Sequence, residues 1–472
     1  MKNDVVVIGS GPNGLAAAIT LAQAGRRVTV YEAARAIGGG VRSAELTLPG
    51  FIHDVCSSVH PMAVASPFLR SLPLGDHGLA WIHPEVALAH PFDDGTAALI
   101  HRSLEETSAG FGLDAGAVRS TFRPFVDSWD ALSSEVLRPA RFPRHPGVLA
   151  RFARYALPSA VSVAVRRFKT PQARAVFAGM AAHSILRLTS PASSAFGTLL
   201  WTTCHTVGWP FARGGSQAIA NALCGLLESL GGKIMSGSRV DSLGDLPRDA
   251  IVLCDVTPRQ LLAIAGNRIS RAERRKLQRF RYGPGVFKVD WSLDAPIPWN
   301  APGCSKAGTV HVGGTLEEIV RSEDAAWTAS ASPLPFVLVT QPSLFDRTRA
   351  LSGKHTAWGY CHVPHASTEE MVERIEAQVE RFASGFRRLI IGRSVMAPLD
   401  LQAHNANLVG GDIGAGSFYA SRLSLGVTSR AYATSSPGVF LCSASTPPGP
   451  GVHGVCGYYA ARLALRSTFS SR

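Results

Sequence analysis

The sequence has 472 residues, of which 46% are hydrophobic and 17% charged, which is typical of a globular chain that buries a large core in two or three domains. Its 47 Lys and Arg against 34 Asp and Glu give a formal net charge of +13, but no nucleic-acid-binding motif accompanies this excess, so nucleic acid is not an expected partner. The eight cysteines include no C-x-x-C pair, which excludes a zinc ribbon and a thioredoxin-type motif, and no metal site is expected.

The start of the chain carries no leader pattern. A strand is expected to begin by residue 4, which leaves no room for a signal peptide. No stretch reaches the ~18 uncharged apolar residues that a membrane-spanning helix needs. We therefore expect a cytoplasmic protein whose cysteines are mostly reduced and buried.

The N-terminal stretch has the pattern of a dinucleotide-binding βαβ unit. An apolar strand runs into a glycine-rich turn, a helix follows, and a second strand ends on an acidic residue. In chain order these are the strand Val5–Ile8, the turn glycines Gly9, Gly11 and Gly14, the helix 15–24, and the strand Val28–Tyr31, which is followed by Glu32. The parts stand in register, and together they predict a bound dinucleotide.

Each residue type in this unit has a physical reason. Gly9 permits the tight turn, Gly11 lets the backbone approach a pyrophosphate, and Gly14 lets helix and strand pack closely. The helix N-terminus offers free N–H groups to the phosphates, and Glu32 is at the usual offset for the ribose-binding acid. The residues expected to contact the cofactor here are Gly9, Gly11, Pro12, Asn13, Gly14, Glu32 and Ala33.

A second glycine run follows at residues 38–43, Gly-Gly-Gly-Val-Arg-Ser. It resembles the second glycine signature of the flavoprotein superfamily that includes phytoene desaturases and amine oxidases. The resemblance implies that the segment passes close to the diphosphate and isoalloxazine of FAD. Arg35 and Arg42 are either cations for that region or solvated surface residues. The resemblance adds these candidates for cofactor contact: Arg35, Gly39, Gly40, Val41 and Arg42.

Residues 70–205 have a mainly helical pattern. Within them, residues 147–168 are apolar with four interspersed arginines and are interrupted by Pro158. This segment is either a helical cap on a substrate domain, which we favour, or a surface that contacts a membrane or admits a lipophilic substrate.

Beyond residue 205 the chain is expected to return to the nucleotide sheet. A helix is predicted after Ser216, followed by strands at residues 233–240 and 250–254. In the flavoproteins that the chain resembles, the strand around Val240 contacts the adenine side through its backbone.

Residues 281–365 are strand-rich. The strand at residues 286–291 alternates, with Lys288 on the face opposite Trp291. In a later strand, Trp358, Tyr360 and His362 share one face. The sheet either roofs the cofactor and binds substrate through these aromatic residues, or buries them only as core.

The C-terminal segment is a strand from Val439, a loop rich in Gly and Pro, and a helix of small residues. The N-terminus of such a helix favours negative charge, as on a reduced flavin. The loop residues expected to contact the cofactor are Ser445, Gly451, Val452 and His453.

Taken together, these motifs resemble the phytoene dehydrogenase-related flavoproteins over residues 4–465. The resemblance implies an α/β fold: a Rossmann-like FAD-binding domain, of glutathione-reductase-like or amine-oxidase-like type, with an inserted α+β substrate domain that has a mixed sheet and a helical cap. The expected division is FAD-binding domain at residues 1–69, 206–270 and 426–472, helical cap at 70–205, and substrate sheet at 271–425.

The resemblance also implies an FAD-dependent oxidoreductase, either a desaturase (dehydrogenase) or an oxidase. It would take a hydride from a C–H bond of a lipophilic small molecule to flavin N5. His453, Tyr360 and His362 are the candidates for moving the second proton. No second G-x-G-x-x-G motif with a following helix exists, so the expected electron acceptor is oxygen or a quinone. A flavin-dependent saturase or isomerase, and a flavin-stabilised binding protein without turnover, are the alternatives, and oligomeric state and membrane contact stay open.

Overall fold

Two sheets and a set of helices organise the chain in this computed structural model, which describes residues 4–247, 249–417, 425 and 428–469. The strands are β1 (Val5–Ile8), β2 (Val28–Tyr31), β3 (Ser43–Glu45), β4 (Ile52–Asp54), β5 (Trp81–Ile82), β6 (Val86–Pro91), β7 (Ala97–His101), β8 (Phe211–Ala212), β9 (Lys233–Met235), β10 (Ile251–Cys254), β11 (Gly285–Leu293), β12 (Ala307–Val312), β13 (Val337–Thr340), β14 (His355–Val363), β15 (Ile390–Met396) and β16 (Val439–Leu441).

The helices are mostly short, and many begin at a proline, whose fixed φ suits a first turn. They are α1 (Pro12–Gln23), α2 (Pro61–Ala65), α3 (Pro67–Arg70), α4 (Leu104–Gly110), α5 (Ala115–Asp127), α6 (Trp129–Val136), α7 (Pro146–Ala156), α8 (Ala160–Arg167), α9 (Pro171–Ala182), α10 (Ser194–Thr206), α11 (Gln217–Ser229), α12 (Pro258–Ala265), α13 (Arg271–Gln278), α14 (Leu316–Ala325), α15 (Val372–Phe382), α16 (Pro398–His404) and α17 (Val455–Phe469).

The first sheet is parallel and has the order β16-β10-β1-β2-β9, so it draws strands from both ends of the chain. Both of its faces are covered. Val5 and Val7 of β1 pack with α1, α11 and α17 on one face, while Val6 and Ile8 pack with α12 and α13 on the other. Burial on two faces explains why β1 is apolar at every position instead of alternating.

The second sheet is mixed, with the order β15-β11-β14-β13-β12-β6-β7, and only the β12–β6 pair is parallel. Phe287, Val289 and Trp291 of β11 pack with α15 on one face. Lys288 and Tyr360 are cross-strand partners in the β11–β14 register and lie on the opposite face. That opposite face is where the cavity described below is found.

The helical region stands beside this sheet. Its core is α9, whose residues are nearly all buried, packed against α5, α8 and α10. Trp201 of α10 stacks on Phe122 of α5 with ring centroids 4.5 Å apart. Helix α10 also places Phe196 and Leu200 in the wall of the cavity. In the part of the chain that the structure describes, no single helix is long and apolar enough to cross a membrane.

The predicted fold class is confirmed, and one local prediction was wrong. Residues 70–205 are mainly helical, as predicted, although β6 and β7 join the mixed sheet across the turn at Asp94 and Gly95. The predicted strand at residues 233–240 ends at Met235, so Val240 lies in the following loop. Strand β9 is the edge of its sheet and pairs with β2 over three residues only. The division into five segments stays a prediction.

The eight cysteines are all free thiols and seven are buried, as the sequence indicates.

Candidate functional site

A cavity of about 730 Å³ joins the two sheets. Its wall includes residues at the carboxyl ends of β1, β2 and β10, where ligands of open parallel sheets bind. The same wall continues onto β11, β13 and β14 of the mixed sheet and onto α10. Of the residues predicted to contact a cofactor, the lining includes Gly9, Gly11, Pro12, Asn13, Glu32, Ala33, Gly39, Gly40, Val41, Arg42, Val240, Gly451 and Val452.

The glycine turn between β1 and α1 is as tight as its sequence predicts. Gly9 has φ +99°, a conformation that residues with a side chain rarely adopt. A Cβ added to Gly14 would lie 2.1 Å from the carbonyl oxygen of Gly9, and one added to Gly11 would lie 2.7 Å from Oδ2 of Asp255. Gly14 therefore serves the close packing that was predicted for it, but it does not line the cavity, although it was also predicted to contact the cofactor.

Asp255 is a cavity residue that the sequence reasoning missed. It follows β10, and its Oδ2 accepts a hydrogen bond from the backbone nitrogen of Gly14. Burial raises the pKa of this carboxyl to about 7, and the nearby charge of Glu32 adds to the rise. Its position in the sequence could have indicated it, because Asp255 follows β10. This strand pairs with β1, and its carboxyl end lies at the same edge of the sheet as the glycine turn.

Glu32 is fixed at the end of β2 in the orientation that a ribose-binding acid needs. Its Oε2 accepts hydrogen bonds from the backbone nitrogen and the hydroxyl of Ser10, at 2.9 and 2.7 Å. Its Oε1 accepts one from the backbone nitrogen of Ala34 at 2.8 Å. The carboxylate is buried against the cavity and keeps lone pairs for a sugar hydroxyl.

Arg42, within the second glycine run, and Arg35, three residues before it, are placed differently. Arg42 is buried in the cavity wall, and its Nε donates to the carbonyl oxygen of Gly39 at 2.9 Å. Arg35 is exposed and does not line the cavity. Gly39 approaches the first glycine turn so closely that an added Cβ would lie 3.0 Å from Cα of Gly11. The backbone of the second glycine run therefore packs directly against the glycine turn between β1 and α1.

The C-terminal loop contributes Gly451 and Val452 to the wall, whereas Ser445 and His453 point elsewhere. The hydroxyl of Ser445 donates to the carbonyl oxygen of Ala415 at 2.8 Å. The His453 ring is buried and bonds within its own loop: Nε2 donates to the carbonyl oxygen of Gly449, and Nδ1 accepts from the backbone nitrogen of Val455. The structure does not bring this ring to the cavity.

Of the other two catalytic candidates, Tyr360 reaches the cavity and His362 does not. Burial raises the pKa of Tyr360, so its hydroxyl stays protonated. His362 lies behind it, with Nδ1 2.8 Å from Oε2 of buried Glu323. The predicted shared face of β14 is therefore real, but its last ring packs against α14 and not against the cavity.

Arg42, one of the two predicted cations, forms a cationic corner of the cavity with Lys288, which was not predicted to lie there. Lys288 is buried, forms an ion pair with Asp290, and has its Nζ 5.4 Å from the ring centroid of Trp358. His404 and Cys56 lie within reach of both cations. Burial together with the two positive charges lowers the pKa of His404 to about 4. Burial raises the pKa of Cys56 to about 11 against the pull of the cations. The thiol is therefore protonated at neutral pH.

Comparison with known proteins identifies relatives among oxidoreductases. Residues 7–72 match the family model described as NAD(P)-binding Rossmann-like domain. The chain is 24% identical to pyridine nucleotide-disulfide oxidoreductase domain-containing protein 2 of Mus musculus, over 98% of this chain and 93% of that protein. It is 26% identical to a phytoene dehydrogenase of Streptomyces griseus, over 77% and 73% respectively. These relatives confirm the resemblance that the motifs indicate.

The fold also has solved neighbours. A structure of putrescine oxidase bound to putrescine superposes with a TM-score of 0.60 at 18% identity, covering all of this chain and 99% of that one. Such a likeness concerns the fold alone. It confirms a Rossmann-like domain combined with a mixed sheet.

Proposed function

We propose that this chain is an FAD-dependent oxidoreductase that takes a hydride from a C–H bond of a lipophilic small molecule, as a desaturase or an oxidase. The observation that carries the proposal is the continuity of the cavity. It joins a dinucleotide cradle at the ends of β1 and β2 to a largely apolar pocket between β13, β14 and α10. The phytoene dehydrogenase among the relatives supports FAD over a nicotinamide dinucleotide, and the fold shared with putrescine oxidase is compatible with it.

The residues at the cradle fit FAD. The first turn of α1 offers backbone N–H groups to a diphosphate, and Glu32 offers a carboxylate to the ribose. Asn13 has a buried Oδ1 with no partner among the described residues, so its amide is available to a ligand. When bound, FAD supplies the two-electron acceptor, and the chain supplies orientation and electrostatics.

Side chains of the cavity have three further roles in the proposed reaction. Arg42 and Lys288 stabilise negative charge at their corner of the cavity. The wall of Phe196, Leu200 and Trp209 excludes water from the reacting C–H bond. Tyr360 is the candidate whose side chain reaches the cavity, and its hydroxyl stays protonated. We therefore assign Tyr360 to relaying the second proton, which it accepts from the substrate while its own proton passes to a neighbouring base, with His362 and His453 as the alternatives.

Two other functions suit the same cavity. A saturase or isomerase would use the same residues with reduced cofactor, and a binding protein would hold FAD without turnover. The acceptor in our proposal is oxygen or a quinone.

The test is the absorption spectrum of the purified protein, followed by denaturation and identification of the released cofactor. We expect FAD at one per chain, bleached anaerobically by a suitable lipophilic donor. Protein that is colourless and cannot be reconstituted with FAD would overturn the proposal. Bound FAD that no donor reduces would favour the binding protein, and a change of double bonds without acceptor consumption would favour isomerisation.

We further propose that the protein contacts an anionic membrane surface while residing in the cytoplasm. Residues 136–227 contain eleven Arg and Lys and no Asp or Glu. In this stretch, Phe142 is 91% exposed and Leu157 65% exposed, beside the exposed Arg151 and Arg154 of α7. Neither arginine has an acidic partner among the described residues. Apolar and cationic side chains side by side favour an anionic lipid surface.

A further inference from the structure

The apolar end of the cavity contains two buried histidines in direct contact. Nε2 of His183 lies 3.1 Å from Nε2 of His311, and the ring of His183 forms part of the cavity wall. Burial lowers the pKa of His183 to about 3 and that of His311 well below its ordinary value, so both rings are neutral. One of the two Nε2 atoms therefore carries the proton that the other accepts.

The packing around His311 decides which of the two Nε2 atoms carries the proton. Its Nδ1 is buried without a partner among the described residues, and a Cβ added to Gly179 of α9 would lie 2.6 Å from it. If His183 donated, His311 would hold its proton on Nδ1, aimed at the backbone of α9 with no acceptor. An orphaned buried N–H is rare and costly. The favourable arrangement has His311 Nε2–H donating to His183.

This tautomer fixes what His183 presents to the cavity. With Nε2 acting as acceptor, the neutral ring carries its proton on Nδ1, and the bond to His311 is the one hydrogen bond that the ring makes among the described residues. Tyr360 adds a second donor, because its hydroxyl bonds to no described residue and its side chain lines the same cavity. Around them, Trp209 Nε1 donates to Thr309 at 2.8 Å, and Leu200 and Leu338 are apolar. Nε1 of Trp358, whose ring stacks on Tyr360, is a further buried donor without a partner among the described residues.

We infer that His183 Nδ1–H and the Tyr360 hydroxyl bind an oxygen atom of the substrate, so that the site takes oxygenated lipophiles such as ketones, aldehydes or alcohols. The inference rests on the proposed function for the place of the cavity in catalysis. A hydrocarbon would leave both donors unsatisfied. A protonated amine would set its own N–H groups against them, which costs more.

The test compares matched probes on the purified protein. Limonene, carvone and carvylamine share one carbon skeleton, as a hydrocarbon, a ketone and an amine, and dodecane with 2-dodecanone provides a linear pair. Binding is measured by the shift in melting temperature, with and without FAD, and by the change in the flavin spectrum of the loaded protein. We expect each ketone to bind at least about tenfold more tightly than its hydrocarbon, and the amine to bind more weakly than the ketone.

Variants assign the preference to the two donors. His183→Phe and Tyr360→Phe keep the rings and are each expected to reduce the ketone preference by about tenfold. His311→Phe, which frees His183 to change tautomer, is expected to reduce it in part. Leu113→Met, at a side chain that is 85% exposed and outside the cavity lining, is the control and should leave the ratio unaltered. If His183→Phe does not fold, Tyr360→Phe still decides the question.

Several results would overturn the inference: equal binding of hydrocarbon and ketone, preference for the amine, no ketone binding to loaded protein, or a ketone preference that survives both ring variants. Failure of the proposed function looks different. Protein that never takes up FAD but keeps a ketone-dependent thermal shift, lost in Tyr360→Phe, would contradict the oxidoreductase and support the oxygen site.

Discussion

Asp255 Oδ2 lies 2.9 Å from the backbone nitrogen of Gly14, and this bond ties the end of β10 to the first turn of α1. The carboxyl is therefore held at the place where a diphosphate would meet the helix N-terminus. Its raised pKa, about 7 against an ordinary 3.8, results mainly from burial. The Asp255 carboxylate and a bound diphosphate would both be negative at the N-terminus of α1. Protonation of Asp255 removes the repulsion between them.

This relationship predicts a pH-dependent stability. Because the pKa is higher in the folded chain than in the unfolded chain, the stabilisation is complete below about pH 4 and is lost as the pH rises through about 7. Three pKa units correspond to about 4 kcal/mol. Asp255→Asn keeps an acceptor for Gly14 and should remove this loss from the free energy of unfolding.

The measurement is urea unfolding of FAD-free protein at about pH 5 and pH 8, compared between parent and variant. Asp94→Asn, on an exposed turn, is the matched control and should keep the parent's slope. If the free energy of unfolding of Asp255→Asn changed with pH as much as that of the parent, Asp255 would not be the source of the pH dependence. The same variant should also bind FAD more tightly than the parent at pH 8.

Gly14→Ala tests the packing of the glycine turn. The added methyl group would stand 2.1 Å from the carbonyl oxygen of Gly9, and that oxygen is backbone, so β1 and α1 must move apart. We expect loss of bound flavin together with a lower melting temperature. Gly116→Ala, in helix α5 with nothing within 4 Å of the added carbon, should change neither. A Gly14→Ala protein with full flavin content would refute the close packing.

The Lys288–Asp290 pair predicts a non-additive result. Both side chains are buried, so Lys288→Met leaves the Asp290 carboxylate in the core without its cation, with only the buried ring of His53 at 3.4 Å, and should destabilise the fold by about 3–5 kcal/mol. The double variant Lys288→Met/Asp290→Leu removes both charges and should recover most of that loss. Chemical unfolding measures both. Lys306→Met, which breaks an exposed pair with Glu85, is the control and should have little effect. Equal stability of parent and single variant would argue against a buried ion pair.

His453→Ala distinguishes loop structure from catalysis. Because both ring nitrogens are bonded inside the loop of residues 449–455, we expect a lower melting temperature and weaker flavin retention. Turnover per bound flavin, and its pH profile, should stay unchanged. A variant that keeps its flavin but loses turnover would instead assign His453 to the reaction, as the sequence predicts.

The basic surface around α7 predicts binding to lipid vesicles. Sedimentation with vesicles of anionic phosphatidylglycerol should be strong at low salt and weak at high salt, and absent with phosphatidylcholine alone. Arg151→Glu/Arg154→Glu should abolish it. The same reversal at exposed Arg271 and Arg275 of α13 should not. Binding to RNA but not to vesicles would reassign the surface to a nucleic acid.

The sequence predicts those parts of the site whose residues are close together along the chain. Gly9, Gly14 and Glu32 lie within one βαβ unit, where spacing alone fixes their positions. Asp255 reaches the same turn from 241 residues away, and no local pattern announces such a contact. The same limit explains His183 and His311, which meet only because α9 packs across the mixed sheet. His453 illustrates the reverse case, since its sequence position is beside the cavity while its rotamer turns inward.

The arrangement of the parallel sheet has a consequence for biosynthesis. Its first strands are made early, whereas β16 and α17 follow more than 400 residues later. Helix α17 packs so closely on α1 that a Cβ added to Gly457 would lie 1.7 Å from the carbonyl oxygen of Asn13. The nucleotide cradle therefore stays incomplete, with apolar faces open, until β16 and α17 have been made. A nascent chain arrested before residue 439 should hold no cofactor and should depend on chaperones.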